Sequence, residues 1–410
     1  MINYKKYPLF ISLAISVFLT MISAISIYEI DSNHKDNIKE SLYTVLNTTS
    51  EAIISWSDNQ KMTAKYWAAN KFIQQETKKL LSLKYDPKAL KKNQSQLRER
   101  LRPLLEIQGY EGFFIISKDL INLASTRNTN IGVKSLLTTQ KDLLTRVLRG
   151  ETVISLPQQS DVKLDRNTHA ATMFVNSPII INGTISAILS FRINPHKDYT
   201  KVLQRGRIGK TGETYSFNKD GLMLSYSRYQ ETLLKSGLIK STQKNNLSDF
   251  YIKVPPTNLE ENSVQLSDQV NHPLTEMADS ATKGHSSFNL KGYKDYRGVE
   301  VIGAWKWIEE LNFGMTTEID HDEAFNELFK TEAAFTILYL FSIIMTWLAY
   351  ILFNRTQKKT SSYTSLLESF NSELEESVQK RTAEVEAANK AKSQFPVSYT
   401  HLTLPTTPYV

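Results

Sequence analysis

Two stretches of this chain are too apolar to be left in water, and they limit what the rest can become. Pro8 to Tyr28 and Ala333 to Phe353 each run 21 residues without an Asp, Glu, Lys or Arg. As helices rising about 1.5 Å per residue, each crosses the roughly 30 Å hydrocarbon layer of a bilayer. For the first, a cleaved signal peptide is the competing reading, because Lys5 and Lys6 supply a basic start and Ile22-Ser23-Ala24 a small-residue site. Its apolar run is nevertheless longer than a usual signal core. For the second the competitor is a buried core helix, against which stand its length, its uniform apolarity, and Trp347 and Tyr350 near its end as interfacial anchors.

Flanking charge orients these spans. Lys5 and Lys6 precede the first, Arg355, Lys358 and Lys359 follow the second, and Glu29 and Asp31 lie on the other side. The positive-inside rule then puts both ends in the cytoplasm and residues 29–332 outside. The expected order is a cytoplasmic N-terminus (1–7), a first span (8–28), an extracytoplasmic domain (29–332), a second span (333–353) and a cytoplasmic helix (354–395).

The outside segment has to fold without disulfides, since the chain has no cysteine, and it is long enough to bury a core of its own. The net charge of +7 is spread among interleaved Lys, Arg, Asp and Glu, which argues against a nucleic-acid surface and suits a solvated exterior near anionic lipid. From Ile30 to Leu101 there is no glycine, and Leu42, Val45, Leu46, Thr49, Ile53 and Trp56 recur at helical spacing. This predicts one long helix, broken or kinked at Asp86-Pro87.

From Gly109 the texture changes to short β-rich runs. Gly112 to Ser117 reads as a strand, and Ile179 to Phe191 as a hairpin turning at Asn182-Gly183, with a helix from Leu136 to Leu148 between them. The pattern recurs in a second hairpin (Glu213–Phe217 and Leu222–Ser225) and two further strands (Val299–Trp307 and Phe313–Ile319). Residues 237–285, with Pro255-Pro256, read as loop and short helix. The fold class is therefore α+β: a long N-terminal helix (30–101) and two tandem modules with antiparallel sheets, expected to be membrane-distal (102–203, the distal module) and membrane-proximal (204–325, the proximal module).

The runs Gly112-Phe-Phe-Ile-Ile-Ser117, Ala124-Ser-Thr-Arg-Asn128, Gly209 to Gly221, Leu224 to Arg228, Asp295 to Val299, Gly303 to Trp307 and Phe313 to Asp320 carry a resemblance. With a long helix and two PAS-like modules between two spans, the chain resembles the double Cache (dCache) sensor domains of bacterial transmembrane receptors. That resemblance implies a plasma-membrane receptor binding a small molecule, often an amino acid or other carboxylate, in the membrane-distal module. The Tyr-x-Arg-x-Trp arrangement of the amino-acid-binding subfamily is absent, which leaves the ligand open. A carboxylate wants a guanidinium fork and aromatic walls, and Tyr110, Phe113, Phe114, Arg127 and Phe174 offer both if they converge. The competing reading makes the aromatics core and pairs Arg127 with a surface acid.

Other motifs point away from chemistry. Gly206-Arg-Ile-Gly-Lys-Thr211 has two residues where a phosphate-binding loop needs four, so it reads as the turn entering the second module. Glu318, Asp320, Asp322 and Glu323 with His321 read as helix capping and first-turn charge. No catalytic constellation and no metal site is expected.

Beyond the second span, Leu367, Leu374, Val378, Val385, Ala388 and Phe395 fall on a 3-and-4 spacing with Asn371, Arg381 and Lys392 as polar members of the same stripe, consistent with a parallel dimeric coiled coil or a lone amphipathic helix. Arg381 to Phe395 resembles the linker entering the dimerisation helix of hybrid sensor histidine kinases. The resemblance implies a homodimer, a response regulator or receiver domain as partner, and a kinase module, with its ATP and Mg, that is missing from this chain. The Ser-His-Glu box expected next is replaced by a tail, 396–410. In it Val397 to Leu402 reads as a translated sequencing-adaptor end, so the tail is expected to be artefactual and His401 is not the phosphoacceptor.

Overall fold

The computed structural model describes residues 7–163, 169–239, 250–260 and 272–393. The expectations for Phe395 and the tail, and parts of the 237–285 loop, lie outside these. The chain divides into two compact units. One comprises Met1–Tyr28 with Glu332–Val410, the other Glu29–Thr331.

Within the first unit, the two apolar stretches lie on helices long and apolar enough to cross a membrane: α1 (Tyr7–Ala68) and α9 (His321–Ser393). Their apolar side chains point outward, as a lipid-facing surface would. A polar tie between them is the 2.8 Å hydrogen bond between the Thr20 and Tyr339 hydroxyls.

In the second unit the anticipated single helix to Leu101 is four. After α1, Asn70 stops the helix by turning its side chain onto the Phe72 amide at 3.0 Å, and so caps α2 (Lys71–Ser82). Asp86 accepts from the Lys88 and Ala89 amides and starts α3 (Pro87–Lys92), with Pro87 at the first helical position where no amide is needed. The fourth helix, α4 (Ser95–Gln108), ends on Gly109 in the left-handed region. The break at Asn70 was hidden because the apolar spacing continues through it.

Two antiparallel sheets follow. The distal one contains β1 (Gly112–Ser117), β2 (Asn122–Ser125), β3 (Val153–Ile154), β4 (Gln158–Lys163), β5 (His169–Ile181) and β6 (Thr184–Ile193), in the order β2-β1-β6-β5-β3 with β4 also on β5. Asn182 and Gly183, at φ 51° and 76°, close the β5–β6 hairpin as their sequence requires. The expected helix Leu136–Leu148 is interrupted at Gln140, which separates a 3₁₀ turn (Leu136–Thr139) from α5 (Lys141–Leu148).

After α6 (Tyr199–Arg205), the proximal sheet contains β7 (Glu213–Phe217), β8 (Ser287–Lys294), β9 (Glu300–Ile308) and β10 (Phe313–Asp320), in the order β7-β10-β9-β8. The hairpin partner expected at Leu222–Ser225 is only a short arm, held by a bridge between Phe217 and Met223 and by the Leu224 amide on the Ser216 carbonyl. The strand β8 was not anticipated, because its half-exposed residues lack a clean alternation.

Each sheet turns one face to the helical layer. Phe113, Ile115 and Phe191 from the distal sheet and Ile302, Phe313 and Met315 from the proximal one join Leu42, Leu46, Ile53 and Leu97 in a continuous core. The opposite faces carry separate clusters. The distal one gathers Phe114, Ile116, Phe174 and Ile188, and the proximal one Tyr215, Tyr293, Tyr296 and Trp305 beneath α7 (Gln230–Lys235) and α8 (Glu276–Thr282).

Candidate functional site

Period-2 alternation along β1 sends Phe113 and Ile115 to the helices and Phe114 and Ile116 the other way. On that outer face, register places Ser190 beside Phe114 and Arg192 beside Phe174. These side chains floor a cavity of about 150 Å³, roofed by residues 130–137. The roof is tied to β2 by backbone bonds: the Asn122 amide donates to the Val133 carbonyl, and the Asn122 carbonyl accepts from the Gly132 amide, each at 2.9 Å.

Arg192 organises this cavity. It is 4% exposed, and its guanidinium carbon lies 5.5 Å from the ring centres of both Phe114 and Phe174. The rings meet edge-on at 72°, 6.0 Å apart. A desolvated cation over an aromatic face is held by about 2 kcal/mol, so the two phenylalanines fix the guanidinium as well as lining the space. At the far end of the cavity the buried Asn122 carries a side-chain oxygen with no hydrogen-bond partner among the described residues. Lys134 adds a second cation at the rim, and no Asp or Glu is among the described lining residues. Aromatic walls, a buried guanidinium and an amide in a space of this size suit a small anion of few heavy atoms. A larger groove of about 1070 Å³ between α1 and residues 202–207 is open to solvent, and its arginines are exposed.

Of the five residues singled out in the sequence, Phe114 and Phe174 meet here. Phe113 and Tyr110 lie on the opposite face of the sheet, where Tyr110 stacks on Phe191 at 4.9 Å and donates to Gln60 at 2.6 Å. Burial pushes the Tyr110 hydroxyl upward from its usual pKa. Arg127 stands exposed beyond the end of β2, outside the cavity. The expected convergence of all five is therefore corrected. Arg192 takes the place foreseen for Arg127, and its signal was legible as the single charged residue between Ala171 and Ile193.

The acidic cluster is also redistributed. Asp322 and Glu323 occupy the first turn of α9, but Glu318 is buried in the proximal sheet and Asp320 pairs with Arg297 at 2.6 Å. Glu323 reaches back to the glycine-containing turn, accepting the Lys210 and Thr211 amides at 2.7 Å each and the Thr211 hydroxyl. Burial favours its neutral form, but these donors prevail and hold the carboxyl below the usual range. The turn thus spends on an internal carboxylate the amides a phosphate loop would offer its ligand.

No protein-family model and no curated protein sequence matches the chain. Solved structures similar to it are sensor domains. That of the Vibrio cholerae histidine kinase DctB is 10% identical, with 71% of this chain and 98% of that one covered at a TM-score of 0.41. The ligand-binding domain of the Pseudomonas aeruginosa PAO1 amino-acid chemoreceptor PctB, solved with L-Arg, is 14% identical over 73% of this chain and 94% of that one, TM-score 0.40. A domain of a sensory box/GGDEF family protein from Vibrio parahaemolyticus is 13% identical over 70% and 97%, TM-score 0.41.

Proposed function

We propose that this chain is the sensory part of a bacterial plasma-membrane receptor, and that a small anionic molecule, a carboxylate in the simplest case, binds the Phe114–Phe174–Arg192 cavity. One observation carries the reading: a guanidinium buried between two rings, lining a cavity with no acid among its described walls. A guanidinium fork matches a carboxylate bidentately, and the two rings hold that fork in place. The charges flanking the two apolar stretches put residues 29–332 outside and both ends inside. Ligand bound to the distal module then biases the proximal module and α9 between two arrangements. The reading includes a homodimer through residues 354–395 and, from the run Ala388 to Phe395, a histidine kinase output feeding a response regulator. ATP and Mg belong to that kinase module and to none of the residues described. A chemoreceptor or diguanylate cyclase output is the alternative, and resequencing across the codon for Phe395 with reads that need no transposon adaptor discriminates among them.

The direct test is a thermal-shift screen of the chain in nanodiscs against small mono- and dicarboxylates, amino acids and hydroxy acids, followed by calorimetry. A hit that Arg192→Ala abolishes supports the reading. Hits indifferent to Arg192→Ala, or none across the anionic set, overturn it.

A further inference from the structure

The outer face of the proximal sheet is filled, and with groups that titrate. In the β7–β10 register Glu213 stands opposite Glu318, and both are buried, at 6% and 3% exposure. Like charges directly across an antiparallel pair repel, and burial removes the water that would screen them. From the other side β9 presents Gly303 to Glu318, so no side chain arrives there to neutralise it.

The two carboxyls are served differently. Glu318 accepts hydrogen bonds from the Tyr215 hydroxyl of β7 at 2.7 Å and the Tyr293 hydroxyl of β8 at 2.6 Å, both from neutral donors. Glu213 accepts the Arg228 amide at 2.6 Å and the Tyr296 hydroxyl. The buried guanidinium of this face, Arg297, is already committed to Asp295 and Asp320 at 2.6 Å and to Glu260 at 2.9 Å. Arg228 turns its side chain onto the Gly212 carbonyl, with Tyr229 beside it. On α8, Glu276 and Asp279, with Lys283 just beyond, are exposed. Among the described residues, then, Glu213, Glu318 and Asp295 are three buried carboxyls sharing one buried cation, and Glu318 makes no hydrogen bond to it.

We propose that the Glu213–Glu318 pair is a sensor of alkaline pH: Glu318 holds a proton at neutrality, its O–H donating to one of the two tyrosine oxygens, and the loss of protons from the pair to water sets two negative charges face to face between β7 and β10. The location gives this loss an outlet, because Glu318 lies in the strand that leads directly into α9 at His321. Burial, with Asp295 and, less strongly, Glu213 adding to it and the two tyrosine bonds opposing, raises the Glu318 carboxyl to about 8; burial raises the Glu213 and Asp295 carboxyls as well, against their own hydrogen bonds and the Arg297 charge. The identity of the compartment whose pH is sensed rests on the proposed outside location of residues 29–332; the switch itself does not.

The test is infrared titration of the full chain in nanodiscs, following the carbonyl band of a buried protonated carboxyl between about pH 6 and 10. The band is expected to lose a component near pH 8 in the wild type, and that step to be absent in Glu318→Gln. Glu213→Gln removes the opposing charge and moves the midpoint down by roughly one pH unit. Hydrogen exchange of residues 213–217 and 313–320 speeds up above the midpoint in the wild type and not in Glu318→Gln. A band that does not titrate, a step near pH 8 that persists in Glu318→Gln, a midpoint unmoved by Glu213→Gln, or exchange indifferent to pH overturns the proposal. If Glu318→Gln fails to fold, Glu213→Gln carries the test alone. The location is read separately by labelling Lys118→Cys in intact cells with an impermeant thiol reagent, in a chain that has no other cysteine.

Discussion

Phe114 and Tyr215 occupy comparable places. Each lies on an antiparallel strand whose opposite face packs on the helical layer, yet Phe114 looks into a cavity and Tyr215 into a lattice of hydroxyls and carboxyls. The distal face sets one buried guanidinium, with Lys134 and a few small polar groups, around a cavity of about 150 Å³. The proximal face completes itself: Tyr215, Tyr293 and Tyr296 satisfy Glu318 and Glu213 without outside help. On the two proposals made above, the open face answers to a molecule and the filled one to the smallest thing that can still enter or leave, a proton.

Substitutions can break this contrast. The largest effect is expected from Gly303→Val. A β-carbon at Gly303 would lie 2.5 Å from the Tyr293 hydroxyl and 2.8 Å from Glu318 Cγ. Overpacking there should cost about 3 kcal/mol in urea unfolding of the sensor domain, and a cost below about 1 kcal/mol would mean that the proximal face is less full than described. Next, Arg192→Ala should weaken any anionic ligand about 100-fold by calorimetry, since a hydrogen-bonded charge pair is lost. The contrast fails if affinity is unchanged.

The third prediction separates the faces by pH. Glu318 is raised from 4.5 to about 8 in the folded state, so between these values the folded chain binds more protons than the unfolded one. Its contribution to stability is fully present below pH 4.5 and is lost as pH rises toward 8, by at most roughly 1.4 kcal/mol per pH unit. Denaturation midpoints should track this in the wild type and flatten in Glu318→Gln. Smallest is Asn70→Ala, which removes the cap of α2 and should cost about 1 kcal/mol. Because that cap belongs to the helical layer, neither ligand affinity nor the carboxyl titration should move with it, and a change in either would show the two faces to be coupled through the helices.

How much of this was legible in the sequence depended on whether the cause was local. Charge-free runs, the Asn182-Gly183 turn, and the strand Gly112–Ser117 are written in period and turn chemistry, and so are the strands expected at Val299–Trp307 and Phe313–Ile319 and found one residue along or longer, at Glu300–Ile308 and Phe313–Asp320. The cap at Asn70 was missed because a single asparagine competes with an apolar stripe that runs past it. The cavity was half-read: the pleat separates neighbours, so Phe113 and Phe114, adjacent in sequence, serve different cores. Arg192 was missed by looking for an arginine near the aromatics in sequence, when β-pairing supplies it from a strand far along the chain. Glu318 was grouped with Asp322 and Glu323 by proximity, though a strand side chain and a helix side chain face different surroundings.

The grip of Glu323 on the turn at Lys210 and Thr211 sets where this chain can be cut and rejoined. Three donors converge on one carboxylate that belongs to the first turn of α9. A fusion junction placed after Glu323 carries that carboxylate with the sensor, whatever output is attached. A junction placed before it strands two amides and a hydroxyl, so chimeric receptors built on this domain inherit a working lower edge only when they also inherit the opening of its last helix.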